Sequence, residues 1–461
     1  MGIPRARWLV TTLLGALVFA QPSVVLVIAD NQDAASIAYM PVVGSSPAAR
    51  FSNAFVSYPL CCPSRASVLS GQHPQNHGVL ENSPPNGGYQ SFDHANSLPV
   101  WLQSAGYYTG YIGKYLNGYG QAACRQVPLG FDEWFGTVTQ GRLYDFVLNE
   151  NSVLTGYGNP TSYPAGCAPA QIQTDQYETD LFHTKAVDFI ARNASRRFFL
   201  VVAFGAVESR GRDGLPGPEP APRHKGMFAG ISIPPKISFN EADVTDKPAF
   251  IRSLPLLTNV QKLNVTYRRT LESLQSVDEA VAAMTRALPA GSILIYTSDQ
   301  GSLLGEHRIV GLGSVYEESI RVPLVVMGAV APLSHAELTS NVDFAPKILE
   351  LAKATAGKVM DGMSLAPLLN GQAIAWRTAL LIQAQMRKGF TAAGNYIAVR
   401  TGSHVYAEHT NGAREFYDLV ADPYQAVNKS RSHAPQDLLL MQQLRSKLNA
   451  LKTCAGTGCW Q

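Results

Sequence analysis

Four short stretches carry apolar, mostly β-branched residues with none of the polar alternation of a half-exposed strand: Val24–Ile28, Phe198–Val202, Ile293–Tyr296 and Val322–Val326. A strand that is apolar on both sides must be covered on both sides. That requirement restricts the chain to a sheet packed between helices, an α/β fold. Asp30 follows the first run and Asp299 the third, and strand ends in such folds are where ligands gather.

Helical patterns lie between these runs. From Tyr267 to Leu288, Leu271, Leu274, Val277, Val281, Met284 and Leu288 recur on one face, the spacing of a helix packed on a core. A second amphipathic stretch, Asp437 to Leu451, precedes the last two cysteines and predicts a helix that closes the fold. Arg210 to Pro235 is rich in Pro and Gly and reads as a long surface excursion. Near Asn370-Gly371 the pattern shifts to shorter polar runs. The expected organisation is a main domain over 21–372 and a smaller one over 373–461.

With 461 residues, 46% of them hydrophobic and 15% charged, the composition excludes disorder as the main state. Arg5 and Arg7 precede an apolar run from Trp8 to Ala20, then Gln21, so residues 1–20 read as a secretory signal peptide. The alternative is a buried first helix; the run is too short to span a bilayer, which takes about 20 residues. Without Arg5 and Arg7, 35 Lys+Arg face 34 Asp+Glu, a balance that gives no footing for a nucleic-acid partner. A signal peptide directs the chain outside the cell or to a lysosome or vacuole, with no membrane span left after its removal. Sequons at Asn193, Asn264 and Asn428 are candidate glycosylation sites in that route. Of the six cysteines, Cys454 and Cys459 enclose a short Gly-containing loop and are expected to pair; Cys124 with Cys167 is a looser pairing. Cys61 and Cys62 are adjacent, a placement that suits some role other than a bridge.

In Cys61-Cys62-Pro63-Ser64-Arg65-Ala66-Ser67-Val68-Leu69-Ser70-Gly71, Pro63 stands where a helix can begin and helix-compatible residues follow. A helix start there sets Cys61 and nearby backbone N–H groups at a positive helix end, a seat for an oxyanion. Arg65, one turn in, adds a fork of donors. These residues alone describe an anion site with a thiol, or else a buried structural cysteine pair at a helix start.

Cys-x-Pro-Ser-Arg followed by a small-residue stretch and Leu-Ser-Gly resembles the sulfatase signature. The resemblance continues in order through Val27-Ile28-Ala29-Asp30, Gly113-Lys114-Tyr115-Leu116-Asn117, Ser298-Asp299-Gln300-Gly301, the Tyr316 to Pro323 segment and Tyr417-Asp418-Leu419. It covers nearly all of the chain after residue 20, in the form shared by eukaryotic arylsulfatases and N-acetylglucosamine-6-sulfatases. It implies an alkaline-phosphatase-like α/β sandwich with a large central mixed sheet flanked by helices, and a smaller C-terminal α+β domain. It also implies a sulfuric ester hydrolase whose first signature cysteine, Cys61, is converted to formylglycine by a formylglycine-generating enzyme. The hydrate offers two hydroxyls: one attacks sulfur and releases the alcohol, and deprotonation of the other expels sulfate and restores the aldehyde. A hard divalent cation, calcium or magnesium, is implied with Asp30, Asn31, Asp299, Gln300 and the modified Cys61 as ligands. Lys114 matches the lysine that contacts sulfate and nucleophile, and Arg65 the residue that orients formylglycine. The implied substrate is a sulfated small molecule or glycan.

Four positions depart from the family pattern. Asn31 and Gln300 stand where a second Asp and an Asn or His are usual, leaving two clear carboxylates for the metal. Val207-Glu208 replaces a Pro-His pair that faces the sulfate or leaving group, and Leu312 replaces a lysine. His307 is a candidate substitute, or else a solvated loop histidine. Two alternatives follow: a sulfatase-like protein that binds sulfated glycans with impaired turnover, and a phosphate or phosphonate ester hydrolase of the same fold.

Overall fold

The computed structural model describes residues 21–207, 212–384 and 395–461; the expected signal peptide lies outside them. Val24–Ala29 is the fifth strand of an eleven-stranded mixed sheet. It pairs in parallel with Ile293–Ser298 on one side and Phe198–Ala203 on the other, and Tyr108–Gly113 continues the parallel order beyond Phe198–Ala203. Leu324–Gly328 pairs antiparallel with Ile293–Ser298. That strand starts two residues later than the apolar run, because Pro323 has no N–H for the ladder.

Every residue of Val24–Ala29, Phe198–Ala203 and Ile293–Ser298 is buried, as two covered faces demand. Val24, Leu26 and Ile28 face a cluster with Ala66, Leu69, Leu102, Phe344 and Ile348, from helices Cys61–Ser70, Leu98–Ser104 and Phe344–Ala352. Val25, Val27 and Ala29 face the opposite cluster, filled by Phe182, Phe189, Leu274, Val277 and Val281 from helices Glu178–Arg192 and Val260–Ala287. The stripe read from Tyr267 onward is thus core. Its helix starts earlier, where the Asn259 side chain accepts from Lys262 N–H and caps it.

A second, four-stranded antiparallel sheet runs through Ala379–Ala384, Tyr396–Thr401, His404–His409 and Arg414–Asp418. Helix Pro435–Leu451 lays Leu444, Leu448 and Leu451 on one face of it. The other face packs Leu380, Ile382 and Tyr417 against Phe55, Tyr58 and Tyr316 of the main body. Disulfides join Cys124 to Cys167 and Cys454 to Cys459. Between residues 212 and 235 the only regular structure is a short turn of helix at Pro222–His224.

Two of the three sequon asparagines, Asn193 and Asn428, are placed against the expectation of glycosylation. Asn193 is fully buried, with its amide donating to Phe189 O and accepting from Arg196 Nε. Asn264 is buried and accepts from Ile233 N–H. Asn428, also buried, donates to Asp246 O and Arg414 O. A glycan needs its amide nitrogen in solvent, and at Asn193 and Asn428 that nitrogen is buried and hydrogen-bonded to backbone. Among the described residues no helix is long and apolar enough to cross a membrane.

Candidate active site

Three parallel strands deliver side chains to one spot at their carboxyl ends: Asp30 follows Val24–Ala29, Asp299 follows Ile293–Ser298 and Lys114 follows Tyr108–Gly113. Gly113 makes the last turn possible: its φ is +111°, and a Cβ there would lie 1.9 Å from the Ala203 carbonyl oxygen. The Lys114 carbonyl is then pinned by Tyr111 Oη at 2.6 Å and Arg65 Nη1 at 2.6 Å. Lys114 Nζ lies 2.6 Å from Asp30 Oδ2 and 3.6 Å from Cys61 Sγ.

Cys61 is the first residue of the helix Cys61–Ser70, all of which is buried and which ends at Gly71 in the left-handed region. The preceding residue, Leu60, offers no side-chain cap, so the first-turn N–H groups keep their capacity for an anion or for neighbouring side chains. Cys62 N–H is taken by Asn82 Oδ1 at 2.9 Å. Two further contacts set the helix against the strand ends. Ser64 Oγ donates to the Asp299 carbonyl, and Asn341 Nδ2 donates to Ser64 Oγ at 2.9 Å.

Arg65 Nε bonds Asp299 Oδ2 at 2.9 Å, and Nη2 lies 3.8 Å from Asp30 Oδ2. Burial opposes the guanidinium charge, but Asp299 and Asp30 outweigh it and hold its pKa above the ordinary value. Two carboxylates and two cations thus balance within a dry cluster. Asn31, at φ +62°, donates its N–H to Asp299 Oδ1 at 3.1 Å. Gln300 Nε2 donates to Asn31 Oδ1 and, at 3.0 Å, to Cys61 Sγ. Burial raises the Cys62 thiol to about 12, an inert group in the apolar cluster.

The oxygen donors suit a hard cation, with Cys61 Sγ standing where an oxygen of the modified residue would lie. Ligand atoms of Asp30, Cys61 and Asp299 lie within 4.8 Å of one another, and Gln300 Oε1 is buried without a hydrogen-bond partner. Asn31 and Gln300 offer amide oxygens in place of charge, a set that would hold an ion more weakly than three carboxylates would.

Not all expected residues gather here. Glu208 lies outside the described residues. His307 is fully buried, which corrects the reading of a solvated loop histidine: Nδ1 is 2.7 Å from Glu241 Oε2, and the ring stacks on Tyr316 at 3.7 Å. Leu312 packs into the apolar cluster under the C-terminal sheet. Other site residues had no sequence signal: Asn82, Asn341 and Glu178, a buried carboxyl that accepts from Gly205 N–H at 3.1 Å. Burial raises Glu178 to about 8, against the pull of that N–H, Lys114 and Arg65.

The sulfatase family profile matches residues 22–354, and these include Asp30, Lys114 and Asp299 at their strand ends and the whole Cys61 helix. The chain belongs to the sulfatase family. A second profile, the C-terminal part of N-sulphoglucosamine sulphohydrolase, matches residues 305–454 of this sulfatase. It is 29% identical over 496 aligned residues to N-acetylglucosamine-6-sulfatase of Capra hircus, covering 95% of this chain and 85% of that one. It is 30% identical to an arylsulfatase of Volvox carteri, covering 97% and 77%. A solved protein in complex with its substrate D-glucosamine-2-N,6-O-disulfate superposes with a TM-score of 0.75 at 22% identity, covering 93% and 98%. The phosphonate monoester hydrolase of Agrobacterium radiobacter shares the fold at a TM-score of 0.69 and 19% identity, covering 94% and 95%. The architecture is the alkaline-phosphatase-like sandwich expected, and the reaction of this sulfatase is hydrolysis of a sulfuric ester.

Proposed function

We propose that Cys61 is converted to formylglycine by a formylglycine-generating enzyme, and that the exported, secreted or lysosomal/vacuolar protein hydrolyses the sulfate ester of a small sulfated sugar or aryl alcohol. The observation that supports this most strongly is the setting of Cys61 at the head of a buried helix. Lys114 Nζ is 3.6 Å and Gln300 Nε2 3.0 Å from its sulfur. Formylglycine supplies, as its hydrate, a hydroxyl nucleophile and a second hydroxyl whose deprotonation releases sulfate. Asp30, Asn31, Asp299, Gln300 and the modified residue 61 would hold calcium or magnesium, which lowers the pKa of a bound hydroxyl and shares the charge of sulfate.

The chain's own residues do the rest. Lys114, a point charge held by Asp30, neutralises a sulfate oxygen. Arg65 binds Asp299 and the Lys114 carbonyl at once and so fixes the distance between strand ends and nucleophile. The first turn of the Cys61 helix adds N–H donors toward the anion. Burial of the cluster keeps bulk water from screening these charges.

Colorimetric release of 4-nitrocatechol from its sulfate tests the proposal. Protein matured with a formylglycine-generating enzyme is expected to turn the ester over, to lose that activity on Cys61→Ala, and to lose it reversibly with a chelator. Turnover unaffected by Cys61→Ala would overturn it.

A further inference from the structure

A cavity of about 310 Å³ adjoins the site, room for one sugar or aryl ring. Asn31 forms part of its wall and, on its other side, meets the Gln300 amide that bonds Cys61. An ester whose sulfate sat at Cys61 would direct its alcohol toward this cavity. The two ends differ in charge. The sulfate end holds Lys114 and Arg65. Among the described residues, the cavity wall holds three carboxyls, Asp33, Glu306 and Glu318, against one ammonium, Lys236. That ammonium is already engaged: Lys236 Nζ donates to Glu306 Oε1 at 2.8 Å and Glu318 Oε1 at 3.0 Å. Tyr267, Thr270 and Ser302 complete the wall with hydroxyls.

We propose that this cavity selects a leaving alcohol without any anionic group, an uncharged or ammonium-bearing ring, and rejects esters that carry a second sulfate or a carboxylate on the same ring. The proposal rests on the sulfatase reading of Cys61. A second anion in the cavity faces three carboxyl groups and finds no uncommitted cation on the described wall. Like-charge juxtaposition of this kind is costly enough to change selectivity by an order of magnitude or more. A hydroxyl or ammonium on the ring instead finds acceptors on Glu306, Glu318 and Asp33.

The test compares glucosamine 6-O-sulfate with glucosamine 2-N,6-O-disulfate, in which an anionic N-sulfo group replaces the ammonium of the ring. Release of inorganic sulfate at the 6-position by the matured enzyme is expected to favour the monosulfate in kcat/KM by about tenfold or more. Asp33→Asn and Glu318→Gln, each checked for an intact melting transition, are expected to narrow that ratio mainly through KM of the disulfate. Equal kcat/KM for the pair, or a preference for the disulfate, would overturn the proposal. Calorimetric binding of glucosamine against N-sulfoglucosamine separates the two readings. Tighter binding of glucosamine supports the charge preference even in a chain that turns over no ester, and equal binding overturns it.

Discussion

Lys114 is where charge, geometry and chemistry meet, because one ammonium neutralises Asp30 at 2.6 Å and approaches Cys61 at 3.6 Å. Lys114→Ala is expected to lower kcat/KM for an aryl sulfate about 10²- to 10³-fold, the loss typical of a preorganised charge-stabilising group. It also takes the nearer of two cations, Lys114 at 2.6 Å and Arg65 at 3.8 Å, from buried Asp30, a cost of several kcal/mol that a denaturant titration will register. His73 carries a second residue-scale prediction. It is 2% exposed, and burial, reinforced by Arg377, lowers its pKa to about 3. The unfolded chain takes up a proton there as pH falls through about 6.5, which the folded chain refuses until about 3; stability present at pH 7 is therefore lost on acidification. By pH 5 the loss from this group is about 2 kcal/mol, and His73→Gln is expected to remove that part of the difference between titrations at pH 7 and pH 5. Asp30, Cys61, Lys114 and Asp299 were legible because each sits in a short motif at a strand or helix end. Asn341 was not: it reaches Ser64 across 277 positions of chain, and no local pattern marks an asparagine that buttresses a distant helix. His307 misled because its local sequence resembles a loop, whereas Tyr316 and Glu241 enclose it in three dimensions.

At the scale of elements, the three strand runs that became fully buried were readable because their composition has only one comfortable environment. Tyr108–Gly113 was not, since Gly110 and Gly113 break the apolar run. Gly110 is small because Phe189 lies where a Cβ would go, 2.5 Å away. The edge strand Gln171–Gln173 is exposed throughout and carries no burial pattern to read. The Cys124–Cys167 bridge closes a loop of 43 positions that holds Glu133–Thr137, Phe146–Glu150 and Val153–Tyr157, the extension of the central sheet beyond Tyr108–Gly113. Cross-linking a loop of that length removes unfolded-state entropy amounting to about 4 kcal/mol. Replacing both cysteines with serine is expected to lower unfolding free energy by up to that amount, leaving turnover of an aryl sulfate within about twofold, since the cluster around Cys61 draws no side chain from the loop. Full stability in the double variant would contradict this.

The whole molecule reads as one central sheet with a cluster on each face, and a second sheet docked where Tyr316, Phe55 and Tyr58 meet Leu380 and Tyr417. That arrangement places the carboxyl ends of three parallel strands under the head of one buried helix, so the site is built from positions as distant as 30, 61, 114 and 299. The sequence order of the motifs showed which residues belong together but not the charge of the wall beside them. Asp33, Glu306 and Glu318 come from three separate segments and converge only on folding. The departures at Asn31 and Gln300 also change meaning in the folded molecule. Together they form a hydrogen-bonded bridge from the cavity to Cys61 while leaving Gln300 Oε1 available for an ion. The measurement that bears most directly on the account is mass spectrometry of the peptide containing Cys61 and Cys62, from protein made in a host with a formylglycine-generating enzyme. The account predicts loss of sulfur and gain of a carbonyl at Cys61, with Cys62 still a thiol, and an unmodified Cys61 in such protein would contradict it.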